Sequence, residues 1–471
     1  MNPVRGKKPG VFADLALLSR ASNGMNLRVF LVSIILFSLL FSLAGGHVYA
    51  QTLSAEDRAK LQAEYDQLQT EISGWQKVLD ETRDKKNTLT GDVTALNAQI
   101  AKAQREISQR TITITTLGSE ITQKTATIST LEQKLAGGRE ALAKLLRQKN
   151  EQELQPLAIL ALSSSDLSGF FGDVQAIDTL NSKLQELFAE LRGVKKQTEE
   201  EKAALDARKN AELDAKHEVQ VKQAQIKENQ VEKTQLLNIT KKDEQSYQVV
   251  LAERQKRAQE IRNALFELRD SAGISFQSAM EYATQAQAST GVRAAFILGI
   301  LRQESNLGTN VGQCLLVDAS TGYGKGKNSG TPIAKVMKPD RDVQPFIDLM
   351  NRLGINPYGQ PVSCPQSVGY GGAMGPAQFI PSTWKLYEKR LVLALGIATP
   401  DPWSARTAVM AMALYLEDLK ADRGTYSAER EAAARYFAGG NWKTKGALNY
   451  AASVLAFADK YQKDIDFLKD N

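Results

Sequence analysis

Apolar residues recur at alternating spacings of four and three from Leu61 to Leu145, and this heptad repeat constrains the fold more than any other feature. A repeat with this period places one apolar seam along a helix, which is buried when another helix packs against it. The spacing therefore predicts one continuous coiled-coil helix, about 130 Å long at 1.5 Å per residue. A weaker repeat restarts at Leu180 and continues to Leu268.

The two repeats are separated by residues 154–173, where a proline, four serines and two glycines interrupt the helical pattern. The apolar side chains from Leu157 to Phe171 are too numerous for a solvated loop. They either pack against their own coiled coil or form a site for a partner. Two long helices on either side of a break predict an antiparallel hairpin, and a dimeric coiled coil is the alternative.

The first 50 residues have the organisation of a secretory signal peptide. A basic region ends at Arg28, residues 29–44 are apolar or small, and Val48 and Ala50 occupy the positions that a signal peptidase recognises. We therefore expect export across the cytoplasmic membrane, with cleavage after Ala50. An uncleaved membrane anchor is the alternative, although this apolar run is short for a span.

Charge and cysteine content fit an exported protein. The net charge of +6 falls to about +2 without the first 50 residues, which carry five basic side chains and one acidic one, so nucleic acid is not an expected partner. In an oxidising compartment Cys314 and Cys364 are expected to form a disulfide. Two buried free thiols are the alternative.

The composition changes at Ala272, where the heptads end and the glycine, proline and aromatic content rises. We interpret residues 51–271 as the coiled coil and residues 272–471 as a separate globular domain. Residues 318–333 are expected to form a polar, glycine-rich loop. No strand pattern is evident, so the expected fold class is all-α, with helices at 275–288, 292–303, 341–353, 381–395, 404–420, 428–437 and 442–468.

The position of the histidines excludes several kinds of enzyme. The chain has two, His47 and His217, and neither lies in the globular domain. Zinc peptidases and amidases need histidine ligands, and cysteine or serine hydrolases need a histidine base. No metal or other cofactor is expected. Carboxylate chemistry remains, and its usual use is the cleavage of glycosidic bonds.

Two stretches of the globular domain have the residues for such chemistry. Glu304 follows an apolar helical segment that ends near Gly308, and apolar surroundings raise the pKa of a carboxyl group so that it can act as an acid near neutral pH. The second stretch is a glycine-rich turn at 371–378 that lets the backbone approach a ligand closely. It ends at Gln378, and a helix is predicted to begin at Pro381.

Together these stretches resemble the catalytic core of lytic transglycosylases of the soluble and goose-lysozyme-like type. The Glu-Ser motif of that family matches Glu304 and Ser305. Its Gly-x-x-Gln-x-x-Pro-x-Thr motif is matched by four residues: Gly375, Gln378, Pro381 and Thr383. The variant that includes Met374 resembles the membrane-bound type-B enzymes.

A third family motif, Ala-Tyr-Asn-x-Gly, is matched only in part. Tyr436 and Gly439 are present, but Phe437 stands where asparagine is usual. Asn441 could substitute for the missing side chain. This departure leaves the sugar contacts near Tyr436 open.

The resemblance implies a lysozyme-like α-helical domain in which Glu304 acts first as an acid and then as a base. It would cleave the bond between N-acetylmuramic acid and N-acetylglucosamine and close a 1,6-anhydro ring. Gln378 and Tyr436 would orient the N-acetyl group and Glu304, and Ser305 would hold the sugar. Two further candidate substrate contacts, Met374 and Gly375, lie in the glycine-rich turn, although Met374 suits a core better.

Two other functions stay open. Hydrolysis of the lysozyme type uses two carboxylates about 5–9 Å apart, and Asp318 is the candidate for the second one. A non-catalytic scaffold that binds glycan and activates a partner enzyme is the other alternative, and the intact Glu304 and Gln378 argue against it.

Residues 54–270 resemble the coiled-coil regions of secreted, division-associated murein hydrolases and their activators. The resemblance rests on the heptad pattern and on the Leu-Ser-Ser-Ser-Asp-Leu-Ser-Gly-Phe-Phe segment that begins at Leu162. It implies a membrane division complex of ABC-transporter type as a partner, bound near the break from Leu157 to Phe171. The expected protein is an exported peptidoglycan lytic transglycosylase that its coiled coil positions or restrains.

Overall fold

The computed structural model describes residues 53–82, 88–153, 167–239, several positions between 249 and 259, 273–366 and 369–470. The predicted export signal at 1–50 lies outside these residues, and so do the first part of the predicted break, at 154–166, and the side chains of the expected partner site. Within the described ranges, no helix combines the length and the apolarity that a membrane span requires.

Where the structure describes the coiled coil, it contains three long helices: α1 (Ala55–Thr82), α2 (Leu89–Glu153) and α3 (Leu167–Ile239). The predicted single helix over 61–145 is wrong, because its residues are divided between α1 and α2, and α1 folds back along α2. The Gln109 amide donates to Gln69 Oε1 at 2.6 Å across this pair. The second helix has its own cap, since Thr88 Oγ1 accepts from the Gly91 N–H at 3.1 Å.

The predicted antiparallel hairpin is confirmed by the pairing of α2 with α3. Lys124 contacts Glu201 at 2.8 Å, and nearer the start of α2 the Gln99 amide oxygen accepts from Asn229 at 3.0 Å. Partner numbers thus rise along α3 as they fall along α2. Exposed ion pairs add little free energy, so the buried seam supplies most of the stability: Leu96, Leu117, Ile128, Leu131, Leu184, Ala215 and Leu236.

The globular domain is mainly α-helical, which confirms the predicted fold class. Its central helix is α5, which is buried from Ala294 to Leu301 because it is apolar on every side. A Cβ on Gly299 would lie 2.7 Å from the Val454 carbonyl oxygen, so glycine allows α5 and α10 to pack closely. The described residues of this domain include seven α-helices: α4 (Phe276–Thr290), α5 (Ala294–Ser305), α6 (Gln344–Leu353), α7 (Pro381–Leu395), α8 (Ala405–Asp418), α9 (Tyr426–Ala438) and α10 (Lys445–Asp470).

A small antiparallel sheet replaces the loop expected at 318–333, so that prediction is wrong. Its strands are β1 (Cys314–Asp318), β2 (Tyr323–Gly326) and β3 (Pro332–Ile333), paired in the order β1-β2-β3. The inward positions of β2 are glycines, and a Cβ on Gly324 would lie 2.1 Å from the Leu315 carbonyl oxygen. The alternation of inward and outward residues is present, but glycine hides it from a hydropathy pattern.

The expected disulfide between Cys314 and Cys364 is formed, with a Cα–Cα distance of 5.1 Å. Val362 bridges to both Cys314 and Met374 by backbone pairing. The Ser363 N–H donates to the Ala373 carbonyl at 2.8 Å. The disulfide therefore anchors, on β1, the segment that supports the glycine-rich turn at 371–378.

Candidate active site

Glu304 lies in the last turn of α5, where the backbone leaves the helix abruptly. Asn306, Leu307 and Gly308 all have positive φ, at 51°, 56° and 77°. Two consecutive non-glycine residues in this region are uncommon and cost free energy, and such strain is concentrated at functional sites. The turn leaves the carboxylate at the end of a rigid, buried helix.

The carboxyl group of Glu304 has an environment suited to proton transfer. Burial raises its pKa to about 7, and a hydrogen bond from the Tyr450 hydroxyl to Oε1 partly opposes that rise. The group sits at the negative end of the α5 dipole, which also disfavours the ionised form. A carboxyl with a pKa near 7 can both give and take a proton near neutral pH.

Ser305 shapes the loop after Glu304 rather than facing the solvent. Its side chain is 1% exposed. The hydroxyl accepts from the Gly308 N–H at 2.9 Å and donates to the Leu301 carbonyl at 3.3 Å. These bonds fix the backbone that presents Glu304, so the expected direct sugar contact of Ser305 is not supported by this arrangement.

The glycine-rich turn holds Gln378 in a strained conformation, with a φ of 53°. Its side-chain amide donates to the Gly375 carbonyl at 2.7 Å, which folds the side chain onto its own turn. Gly375 has a φ of 63°, and a Cβ there would lie 1.9 Å from the Pro402 carbonyl oxygen. Gly375 thus serves to bring two backbone segments together, and its proposed substrate contact can only be through the backbone.

We expect Gly375→Ala to lower the free energy of unfolding by about 3 kcal/mol, because it combines a disfavoured φ with a collision against backbone. The matched control is Gly396→Ala, since Gly396 has a similar φ of 67° but nothing within 4 Å of its added Cβ. The control should cost only about 1–2 kcal/mol. Urea denaturation of both variants measures the difference, and equal costs would contradict the collision.

Met374 is fully buried and belongs to the hydrophobic core of the domain. Its N–H donates to the Phe379 carbonyl at 2.8 Å, which closes the turn that carries Gln378. This burial supports the core assignment of Met374, and its contact with substrate stays a prediction. Met374 therefore supports the turn through its packing in the core and its backbone hydrogen bond to Phe379.

Tyr436, near the end of α9, connects the turn to Glu304. Its hydroxyl donates to the Ala377 carbonyl, next to Gln378, at 2.5 Å. Burial, followed by the negative charge of Glu304, raises the pKa of Tyr436 well above its usual value, so the phenol stays protonated. The structure thus brings together three residues that the sequence motifs predicted, namely Glu304, Gln378 and Tyr436.

Tyr450 is a site residue that the sequence analysis missed. It lies in α10, donates to Glu304 and stacks on Phe437, with ring centroids 4.8 Å apart. Because α10 runs antiparallel to α5 and passes Gly299 at Val454, the residue one turn earlier in α10 faces Glu304. Gly299 is the sequence signal for a close helix contact, but it does not indicate which helix makes that contact.

We expect Tyr450→Phe to raise the pKa of Glu304 further above its usual range, because the lost hydrogen bond favours the ionised carboxylate. Titration of the carbon-13 carboxyl signal of Glu304 measures this directly. Tyr461→Phe is the matched control, since Tyr461 is also a buried tyrosine of α10 but packs against Phe276. An unchanged or lowered midpoint for Glu304 in the Tyr450 variant would contradict the role of the hydroxyl.

Asp318, the candidate for a second carboxylate, is bound to its own turn. Its oxygens accept from the Ser320 N–H at 2.8 Å, the Ser320 hydroxyl at 2.7 Å and the Thr321 hydroxyl at 2.8 Å. These hydrogen bonds lower the pKa of its carboxyl group. They account for Asp318 as the residue that closes the turn between β1 and β2.

One family model matches part of the chain. Residues 209–428 match a family model described as the Transglycosylase SLT domain, which supports a lytic transglycosylase acting on peptidoglycan. The match contains Glu304 and Gln378, begins within α3, and ends before Tyr436. No curated protein and no solved structure matches the chain. The resemblance of the coiled coil to division-associated hydrolases stays a prediction.

Proposed function

We propose that this protein is an exported lytic transglycosylase that cleaves peptidoglycan between N-acetylmuramic acid and N-acetylglucosamine. The observation that carries the proposal is the environment of Glu304, a buried carboxyl with a pKa of about 7 that accepts from Tyr450. Its charge acts on Tyr436, whose hydroxyl is bonded to the turn of Gln378. Its position inside a segment that matches a transglycosylase family supports the substrate class. The disulfide between Cys314 and Cys364 supports export, because such bonds persist in oxidising compartments.

Glu304 supplies both proton transfers of the reaction. The protonated carboxyl donates to the glycosidic oxygen as the bond to the muramoyl C1 breaks. The resulting carboxylate then takes the proton of the muramoyl C6 hydroxyl as its oxygen bonds to C1. The protons balance without water, and an attacking group within the same sugar gains from proximity. The Tyr450 hydrogen bond stabilises the carboxylate between these two steps.

Gln378 and Tyr436 have positioning roles in this proposal. The bond from its amide nitrogen to the Gly375 carbonyl leaves the Gln378 amide oxygen for the N-acetyl group of the substrate. Tyr436 fixes that turn through the Ala377 carbonyl. Gly375 lets the turn approach the segment at Pro402. Ser305 acts on the substrate only indirectly, by holding the backbone after Glu304.

The coiled coil is proposed to position this enzyme, and the apolar segment from Leu157 to Phe171 is proposed to bind a membrane division complex. The second statement rests on sequence resemblance alone. Deleting that segment from the full chain should abolish co-purification with a membrane fraction and leave activity on purified peptidoglycan unchanged. Retained membrane association would contradict it.

The test of the proposed function is to incubate the full chain with purified peptidoglycan and to examine the released muropeptides by mass spectrometry. Anhydro-muramoyl ends, one water lighter than reducing ends, are the expected products. Reducing ends would instead indicate hydrolysis of the lysozyme type. Binding without any release would favour the scaffold that activates a partner enzyme.

A further inference from the structure

The coiled coil and the globular domain are joined at one end of α9. The Asp214 carboxylate of α3 accepts from the Ser427 N–H at 2.5 Å and from the Ser427 hydroxyl at 2.9 Å. Ser427 is the second residue of α9, where backbone N–H groups have no acceptor within their own helix. Asp214 therefore caps α9 from outside, with a charge that the positive end of the helix favours.

A second residue of α3 holds the same turn. His217 lies one helical turn after Asp214, and its ring stacks on Tyr426 with centroids 4.0 Å apart and planes at 17°. Two neighbouring positions of α3 thus hold the first two residues of α9. A third contact between α3 and the domain, Lys463 with Glu228 at 2.9 Å, is exposed and reaches α10 instead.

The turn that α3 holds is also tied to the helix of the catalytic acid. Glu429 is 2% exposed and pairs with Arg293 through two hydrogen bonds, at 2.9 and 2.7 Å. Arg293 immediately precedes α5, and Glu304 lies at the other end of that helix. Breaking a buried ion pair with two hydrogen bonds is costly. The first turn of α9 is therefore held on one side by α3 and on the other by the residue that precedes α5.

The far end of α9 carries one side chain of the candidate active site, Tyr436. Tyr436 lies nine residues after Ser427, which is about 14 Å along a helix. A rotation of α9 by about 5° around its first turn would therefore move Tyr436 by about 1 Å. A displacement of this size can lower an enzymatic rate by about 10²-fold.

We propose that Asp214 is a positioning residue for the reaction, through which the docked coiled coil sets α9 and thereby Tyr436 against Glu304 and the turn of Gln378. This inference rests on the proposed function. The described contacts of α3 with α9 lie at the end away from Tyr436, so α3 supports the active site there without covering it. The docked arrangement is accordingly the active one.

The experiment compares Asp214→Ala and Asp214→Asn with the wild type as full chains acting on purified peptidoglycan. We expect Asp214→Ala to lower kcat by about 10- to 10²-fold with little change in KM. The kcat of Asp214→Asn should lie between those of the wild type and Asp214→Ala, because asparagine keeps one hydrogen-bond acceptor. Glu228→Ala is the matched control, since it removes a contact between α3 and the domain that does not involve α9. It should leave kcat unchanged.

A double-mutant cycle with Ser427→Ala separates positioning from a general loss of structure. If Asp214 acts through Ser427, the two substitutions should be less than additive in kcat. The carbon-13 carboxyl signal of Glu304, which needs no activity, should shift in Asp214→Ala and stay in place in Glu228→Ala.

The outcomes distinguish this inference from the proposed function. Unchanged kcat and an unmoved Glu304 signal in Asp214→Ala would overturn the positioning role, and so would a higher kcat, which would show that the coiled coil restrains the enzyme. If the wild type releases no anhydro products, the proposed function fails. The Glu304 signal then decides alone whether Asp214 positions the site.

Discussion

Glu304→Gln is expected to lower the release of anhydro-muropeptides by about 10²- to 10⁴-fold, the usual contribution of a general acid or base. Glutamine keeps the shape of the side chain and can accept from Tyr450, but it carries no proton to give or take in either step. The measurement is the initial rate of release from purified peptidoglycan, with products identified by mass spectrometry.

The same substitution should stabilise the protein at alkaline pH. The pKa of Glu304 is raised from its ordinary value of 4.5 to about 7 in the folded state. The protonated carboxyl therefore contributes fully to stability at pH values below the pKa of the unfolded chain, and this contribution is lost as pH rises through about 7. Glutamine does not ionise and avoids this loss. Urea denaturation should therefore show Glu304→Gln to be more stable than the wild type at pH 8, with the difference shrinking as pH falls to 4.5.

Two other carboxylates serve as controls for the loss of activity expected in Glu304→Gln. Glu281→Gln changes an exposed glutamate of α4, and Asp318→Asn removes the candidate second carboxylate. Both variants should retain the wild-type rate. A large loss with Asp318→Asn, together with reducing ends in the products, would instead indicate hydrolysis by two carboxylates. Substantial activity in Glu304→Gln would exclude Glu304 as the catalytic residue.

Removal of the disulfide, by Cys314→Ala together with Cys364→Ala, is expected to lower the free energy of unfolding by about 4 kcal/mol in the chain-entropy model. The bond links cysteines 50 positions apart, so the reduced unfolded chain gains much freedom. Activity should also fall, because the bond anchors the segment that pairs with the glycine-rich turn. Urea denaturation followed by tryptophan fluorescence measures the stability.

Reduction of the wild type with dithiothreitol should reproduce the loss of stability seen in the double variant. The same reductant should leave the double variant unchanged, which controls for other effects of the reagent. A double variant within about 1 kcal/mol of the wild type would mean that native contacts, such as the pairing of Val362 with Cys314, hold this segment without the bond.

The helices of the globular domain could be predicted because their patterns are local. The predicted helix at 381–395 coincides with α7, where Pro381 occupies the first turn. Glu304 and Gln378 could be proposed because the family motifs place both at element ends, and their roles stay predictions. The hairpin of α2 and α3 followed from two repeats on either side of a break.

The predictions that were wrong depended on tertiary contacts. A heptad repeat has the same period whether its helix is straight or folds back, so the fold of α1 onto α2 could not be predicted from spacing. The glycines of β2 are selected by the backbone of Leu315, which no hydropathy pattern reveals. Tyr450 lies 146 positions from Glu304 and becomes its partner only when α10 packs on α5.

The continuous helix α3 has a consequence for where this enzyme can work. Asp214 and Leu167 belong to the same helix, and the 47 residues between them span about 70 Å. Anything that holds the Leu167 end would keep the catalytic domain at a set reach along that arm. The length of α3 would then fix the distance between that attachment point and the catalytic domain. This distance would determine which layer of a thick polymer is cut.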